Sequence, residues 1–225
     1  MVREPIVFLN KTYKSQSAFE VYVRGLIYID IGECLDVAKC HPDKYIELLE
    51  VLKRHPEYLS KTENIKSLKI RRDKLNRSGL QLLIMNIDSS ETGISWKTAI
   101  TGKHTKFEHE LRGAFRSSVD AQIKRFKANS KQKCGLCDRI YGEFHADHIV
   151  HFEALVQDFL EICAKNEKKI PTILDSMTDG TFRRCFSTKD NSFKDEWYLY
   201  HENHASLRIL CKTCNLTRPK FKKIK

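Results

Sequence analysis

The chain has 225 residues, of which 41% are hydrophobic, and its formal net charge is +11 at pH 7. This length and composition suit one large or two small globular domains. No apolar run is long enough to span a bilayer and the N-terminus lacks the pattern of a secretory signal, so we expect an intracellular, cytoplasmic protein without a membrane partner.

The N-terminal region, residues 1–103, predicts a small α+β domain. Its elements in chain order are a strand at PIVFLN, a helix that begins near residue 17, a helix through Tyr45 and Leu52, and strands at 66–70, 80–87 and 94–100. Polar turns separate the strands, which is typical of an antiparallel sheet. We expect this domain to serve target recognition or dimerisation.

A long amphipathic helix is predicted next, because apolar residues recur at steps of four and three: Phe107, Leu111, Phe115, Val119, Ile123 and Phe126. A second amphipathic helix is predicted at 152–163, and residues 164–196 are polar and rich in turns. We place the domain boundary near residue 103, so that residues 104–225 comprise a linker helix and a second domain.

Two Cys-x-x-Cys pairs, Cys134 with Cys137 and Cys211 with Cys214, account for four of the eight cysteines. In a reducing compartment such pairs favour a metal ion over a disulfide. Four thiolates are a ligand set that Zn²⁺ takes in structural sites, and they leave no open position for water. We therefore predict a structural zinc. Redox-active dithiols are the competing interpretation, but no thioredoxin-like βαβ pattern surrounds either pair.

Three further residues suggest chemistry beside the zinc, because the ion would draw Asn215 towards Asp147 and His148. Carboxylate and amide oxygens suit Mg²⁺ or Mn²⁺, and a histidine supplies a base that is neutral near pH 7. Phosphodiester hydrolysis needs this combination of base and cation. The alternative makes Asp147 a turn residue and His148 a packed core histidine.

The positive charge lies on both sides of the cysteine motifs. Residues 104–139 carry +5 and residues 212–225 carry +6, whereas the stretch between them carries −4. Such clusters attract a polyanion, which favours nucleic acid as the partner over a merely solvated face. Candidate phosphate contacts in the tail are Arg218, Lys220, Lys222 and Lys223.

The order Cys-x-x-Cys, Asp-His, Cys-x-x-Cys-Asn resembles the HNH endonucleases, also called His-Me finger or ββα-metal nucleases. The zinc-stapled branch, with phage endonuclease VII and several restriction enzymes, is most similar. The resemblance implies a ββα-metal domain in which Asp147 and Asn215 hold one catalytic Mg²⁺ or Mn²⁺ and His148 is the general base. It places Asn215 on a helix and implies products with a 5′-phosphate and a 3′-hydroxyl.

The chain departs from this family pattern in two ways. Sixty-two residues separate His148 from Cys211, so the helix at 152–163 belongs to an insertion. The family's middle asparagine, which braces the base, falls on Ser206, and Asn203 and His204 are the two candidates to replace it. A fainter resemblance, carried by HPEYLSKTENIKSLKI, GISWKTAI, DHIVHFEALVQDFL and YHENHASLRI, is to the DCL (DUF3223) family, which implies a nucleic-acid link without a defined activity.

These patterns together predict a microbial or phage DNA endonuclease of HNH type, with restriction enzymes among the candidates. Double-stranded DNA is the expected substrate. Cleavage of both strands by a single site per chain favours a homodimer. The alternative is a zinc-stabilised module that binds DNA or RNA without hydrolysing it.

Overall fold

The computed structural model describes residues 5–74 and 79–219, which form an α+β protein with small antiparallel sheets. Two compact units are present: Met1–Lys106 with Thr178–Phe182, and Phe107–Met177 with Arg183–Lys225. The α+β class predicted from the sequence is confirmed. The assignment of Thr178–Phe182 to the first unit had no counterpart in the sequence prediction.

The first unit combines a hairpin, a three-stranded sheet and short helices. The hairpin pairs β1 with β2, and the sheet has the order β3-β4-β5 with antiparallel neighbours. The elements are β1 Ile6–Phe8, β2 Lys11–Tyr13, α1 Gln16–Gly25 with a π-helical continuation Leu26–Ile31, α2 Val37–Cys40, α3 Pro42–Leu52, α4 Tyr58–Thr62, β3 Ile65–Arg72, β4 Leu80–Asn86, β5 Glu91–Gly93 and α5 Trp96–Thr101. Fully buried side chains from α1, α3 and the sheet form its core, among them Phe19, Leu48, Leu68 and Ile84.

Residues 94–100 were predicted as a strand, and this prediction was wrong. The hydroxyl of Ser95 accepts a hydrogen bond from the Thr98 backbone N–H at 3.1 Å and so caps helix α5. The buried side chains of α5 stand at its first, fourth and fifth positions, which is helical spacing. Apolar residues at alternate positions had suggested a strand. The Ser95 cap instead stabilises a helix at this position.

The second unit contains the longest helix of the described residues and a strand pair whose two strands lie far apart in sequence. Its elements are α6 Phe107–Asn129, β6 Phe144–His148, α7 Phe152–Lys165, β7 Leu174–Ser176, β8 Arg184–Phe186, a 3₁₀ turn Thr188–Asp190, α8 Asn191–His204, β9 Leu207–Cys211 and α9 Lys212–Thr217. Strand β6 pairs antiparallel with β9, and β7 pairs with β8. Helices α7 and α8 therefore lie within the connection between β6 and β9.

Helix α6 buries one face against α8 and keeps charged residues on the other. Phe115 and Trp197 are fully buried at this contact, and the Trp197 indole N–H donates to the Phe115 carbonyl oxygen at 3.0 Å. The aromatic core around them includes Phe152 and Phe159 of α7. Within the described ranges, no helix is both long enough and apolar enough to cross a membrane.

A smaller core lies beside the paired strands. It contains Phe144 of β6, Ile209 and Leu210 of β9, and the buried residues Cys134 and Cys211. This core fixes the loop that carries the first cysteine pair against the end of β9, where the second pair begins.

Candidate active site

The four cysteines of the two pairs converge. In the β6–β9 register Phe144 is opposite Cys211, and the Gly135 backbone N–H donates to the Ile209 carbonyl oxygen at 2.8 Å. The four Sγ atoms of Cys134, Cys137, Cys211 and Cys214 all lie within 4.8 Å of one another. The prediction that the two pairs meet is confirmed, and the cluster could hold a metal ion.

The spacing of the thiols suits a small tetrahedral ion. Cys137 Sγ and Cys211 Sγ are 3.7 Å apart. Four sulfur atoms at about 2.3 Å from a central zinc stand about 3.8 Å from each other, so this pair already has the expected separation.

The pKa values of the cysteine thiols also indicate that the cluster suits a metal ion. Burial raises the pKa of the Cys134 thiol, but sulfur-directed backbone N–H groups outweigh it and bring the pKa down to about 6. Hydrogen bonds with Cys137 and Cys211 raise the pKa of Cys214 to about 12. The backbone thus favours thiolate at one position while a neighbouring thiolate disfavours it at another. A bound cation would relieve that conflict.

The predicted catalytic residues lie on the strand pair and on the helix that follows it. Asp147 and His148 end strand β6, and Asn215 lies on α9, one residue after Cys214. All three line one cavity of about 720 Å³ in the second unit, together with Arg218. Residues far apart in sequence are therefore brought to one place.

Asp147 is held by two arginines. Its side chain is only 6% exposed, and Arg208, its partner in the β6–β9 register, donates from Nε to Oδ2 at 3.0 Å. Arg218 Nη1 forms an ion pair with Asp147 Oδ1 and also donates to the His148 carbonyl oxygen at 2.8 Å. Asp147 is therefore a buried, fully engaged carboxylate and not a turn residue on the surface.

The predicted phosphate contacts divide into two groups. Arg218 is part of the site itself, with a side chain that is 15% exposed. Lys220, Lys222 and Lys223 lie outside the described residues. The interaction of all four with nucleic acid stays a prediction.

His148 is braced by a second histidine that the sequence analysis did not identify. His148 Nε2 and His201 Nε2 are 2.9 Å apart, and His201 Nδ1 contacts the Gln122 side-chain oxygen. Because an amide oxygen only accepts, His201 must carry its proton on Nδ1, and its Nε2 is then an acceptor. The bond therefore requires His148 to donate from Nε2, which leaves the lone pair of its Nδ1 free.

Burial keeps both imidazoles neutral. It lowers the pKa of His148 to about 4, with a further contribution from the Arg116 guanidinium. It also lowers the pKa of His201 to about 4, and the neighbouring His148 adds to this effect. A neutral His148 with a free Nδ1 has the form that a general base requires near pH 7.

The bracing residue differs from the candidates that the sequence suggested. Ser206 contributes a backbone carbonyl to the Ile149 N–H at 2.9 Å. His204 bonds through Nδ1 to the Tyr200 carbonyl oxygen, and Asn203 is exposed. His201 lies one turn earlier on α8. Its position four residues after the buried Trp197 was the available signal, since it places both on one helix face.

Comparisons with known proteins add little to this geometry. No family model matches the chain, and no curated protein matches it. One solved structure, the solution NMR structure of an uncharacterized protein from Rhodospirillum rubrum, is similar to part of it, with 18% sequence identity and a TM-score of 0.36. The similarity covers 43% of this chain and 88% of that chain. A TM-score of this size supports no conclusion about fold or function.

Proposed function

We propose that the chain is a zinc-stapled, divalent-metal-dependent nuclease of the HNH type. One observation carries the proposal: strands β6 and β9 and helix α9 direct Asp147, His148 and Asn215 to one cavity beside a four-cysteine cluster. The order strand, strand and helix with these residue types supports the proposal, because the resemblance to HNH endonucleases implies a ββα arrangement. Nucleic acid, with DNA first, is the proposed substrate.

The cysteine cluster fits a structural Zn²⁺. Its four sulfur atoms lie within 4.8 Å of one another, with one pair at 3.7 Å, and complete thiolate coordination would give a closed site that stabilises the fold without taking part in the reaction. We assign the zinc the role of fixing α9 next to the end of β6.

A catalytic Mg²⁺ or Mn²⁺ has suitable donors in Asp147 and Asn215. A carboxylate and an amide oxygen are hard ligands, and the Asn215 side chain makes no hydrogen bond within the described part of the chain. Arg218 must leave Asp147 Oδ1 before that oxygen can bind a cation. When bound, the ion supplies positive charge that stabilises the phosphate and the leaving oxygen.

The residues of the chain account for the proton transfer. The free Nδ1 of His148 accepts a proton from water as the water oxygen attacks phosphorus and the bond to the 3′-oxygen breaks. The 3′-oxygen takes a proton from solvent, which gives a 3′-hydroxyl and a 5′-phosphate. His201 stays neutral and accepts the hydrogen bond from His148 Nε2, so it stabilises the positive charge that His148 gains.

The test is cleavage of plasmid and linear DNA by purified, zinc-loaded protein, with Mg²⁺, with Mn²⁺ and without either. We expect metal-dependent cleavage and product ends with a 5′-phosphate and a 3′-hydroxyl, identified by mass spectrometry. Ends with a 3′-phosphate would contradict the proposed attack, and cleavage of equal rate without added metal would contradict the role of Asp147 and Asn215.

A second candidate is a zinc-stabilised nucleic-acid-binding module without hydrolytic activity. The observation that favours it is the pair of arginines on Asp147, since a carboxylate bound on both oxygens can serve the fold alone. Tight binding of DNA or RNA with no cleavage of either under any metal condition would select this function.

A further inference from the structure

We propose that the cavity beside His148 receives one nucleotide that has left its base stack, so that the substrate is single-stranded or locally unpaired nucleic acid. This inference rests on the proposed nuclease function and narrows its substrate class from the intact duplex that the sequence suggested.

The cavity is larger than the catalytic groups require. Its volume of about 720 Å³ lies in the range of about 300–1,000 Å³ typical of pockets that enclose an organic ligand. Asp147, His148, Asn215 and Arg218 line only the part formed by the end of β6 and by α9 with the residues after it.

Two helices supply most of the remaining wall, which combines an apolar stripe from each helix with charged or polar side chains of the same helices, namely Glu108, Arg112, Arg116, Glu153 and Gln157. Leu111 and Phe115 of α6 face the cavity, as do Phe152, Val156 and Leu160 of α7. Within each helix these residues are four apart and so share one face. The α7 stripe begins at Phe152, whose ring centroid is 5.3 Å from that of His148, and extends about 12 Å along the helix axis.

A catalytic end with His148 and Arg218 next to apolar stripes from two helices suits the phosphate and the base of a nucleotide. The phosphate would lie at the end with His148 and Arg218, and the flat base would lie against the leucine, valine and phenylalanine side chains. The Arg116 guanidinium, which forms an ion pair with Glu153 at 3.0 Å, stands 5.1 Å from the centroid of the Phe152 ring, so a cation lies beside the apolar stripe of α7. A purely apolar ligand would leave the polar end unused.

An intact duplex cannot fill such a cavity. Its bases are stacked and paired inside the helix, so it presents only backbone and base edges to a protein. An enzyme that encloses a base must take that base out of the stack, and the free energy required is least where the base is mismatched or already single-stranded. The shape of the cavity therefore favours unpaired substrates.

The test compares zinc-loaded wild type with three variants on oligonucleotides of one sequence: a single strand, a paired duplex and a duplex with one central unpaired nucleotide. Leu160→Trp fills the apolar end, and Leu216→Glu puts a charge on an exposed residue of the cavity rim. Ile162→Trp is the matched control, because Ile162 is on the same helix, 39% exposed and outside the cavity lining.

We expect wild type and the Ile162→Trp control to cleave the single strand and the unpaired duplex at least tenfold faster than the paired duplex. Leu160→Trp and Leu216→Glu should each lose at least tenfold in kcat/KM on the single strand. Equal wild-type rates on all three substrates, with no effect of either cavity variant, would overturn the inference while leaving the nuclease function intact.

A binding measurement separates this inference from the proposed hydrolysis. Thymidine 5′-monophosphate is titrated into protein with labelled methyl groups, and the NMR signals of Val156, Leu160 and Leu216 are followed. We expect these signals to shift in wild type and the Leu216 and Val156 shifts to disappear in Leu160→Trp. Shifts without cleavage of any substrate would refute the nuclease and retain the nucleotide site, whereas cleavage without shifts or strand preference would refute the site.

Discussion

His201 holds His148 through a direct contact between their Nε2 atoms, which are 2.9 Å apart. His201 is 1% exposed and is fixed in turn by Gln122, whose amide nitrogen donates to the Tyr198 carbonyl oxygen at 2.8 Å. This chain of buried hydrogen bonds sets which nitrogen of His148 carries the proton. It connects the protonation of His148 on strand β6 to residues of helices α6 and α8.

The first prediction is that His201 raises kcat for DNA cleavage by holding His148 in the correct orientation. His201→Leu removes the acceptor of the His148 N–H, so kcat for DNA cleavage should fall about tenfold to a hundredfold with little change in KM. His201→Gln keeps an acceptor oxygen and should recover most of the loss. Steady-state kinetics with His204→Ala, an exposed neighbour on α8, as the control measures this effect. Nitrogen-15 NMR of the imidazoles should show the proton of His148 on Nε2 in wild type; a proton on Nδ1 would contradict the assignment.

The second prediction concerns the cysteine cluster. Cys134→Ser should remove zinc and destabilise the second unit by several kcal/mol, since the binding energy of a structural zinc is also folding energy. Metal analysis and thermal unfolding measure both effects. Cys40→Ser, at an exposed cysteine of the first unit, should leave zinc content and unfolding unchanged. An unaltered zinc content in Cys134→Ser would disprove the four-cysteine site.

The third prediction follows from the ion pair between Arg218 and Asp147. Arg218→Ala frees one carboxylate oxygen, so calorimetric titration should show about tenfold tighter binding of Mn²⁺. Arg125→Ala, which changes an exposed arginine of α6, is the control and should bind Mn²⁺ as wild type does. Weaker binding in Arg218→Ala would mean that Arg218 supports the metal site and does not compete with it.

The fourth prediction concerns stability against pH. The pKa of His201 is about 4 in the folded protein because the ring is buried, against an ordinary value of 6.5. Between these values the unfolded chain binds more protons than the folded one, so the free energy of unfolding should fall as the pH drops from about 7 to 4. Urea titrations should show a shallower decline for His201→Phe than for wild type. His109→Phe, an exposed change on α6, should follow wild type; identical slopes for His201→Phe and wild type would exclude this role.

Local motifs made part of the site predictable. The spacing of a Cys-x-x-Cys pair is typical of zinc ligands. The sequence therefore predicted that Cys134 and Cys137 would meet Cys211 and Cys214. The helices α6 and α7 were also predictable, because their apolar residues recur at helical spacing over several turns.

The contacts in the site that were not predicted are mostly between residues that are distant in sequence. His201 and Gln122 belong to different helices, and nothing near either residue in the sequence indicates that they meet. Arg218 was predicted only as a phosphate contact in the basic tail, and its ion pair with Asp147 was not foreseen. The prediction of a strand at 94–100 was wrong for a local reason. The apolar pattern there suits a strand, but the serine cap begins a helix.

The most direct test of the account compares DNA cleavage by wild type and by His148→Ala at matched zinc content, with His145→Ala, on the same strand, as the control. Loss of a general base should reduce kcat by at least about a hundredfold in His148→Ala, while His145→Ala cleaves within a few-fold of wild type. Equal cleavage by His148→Ala and wild type would contradict the central claim that His148 activates water at this site.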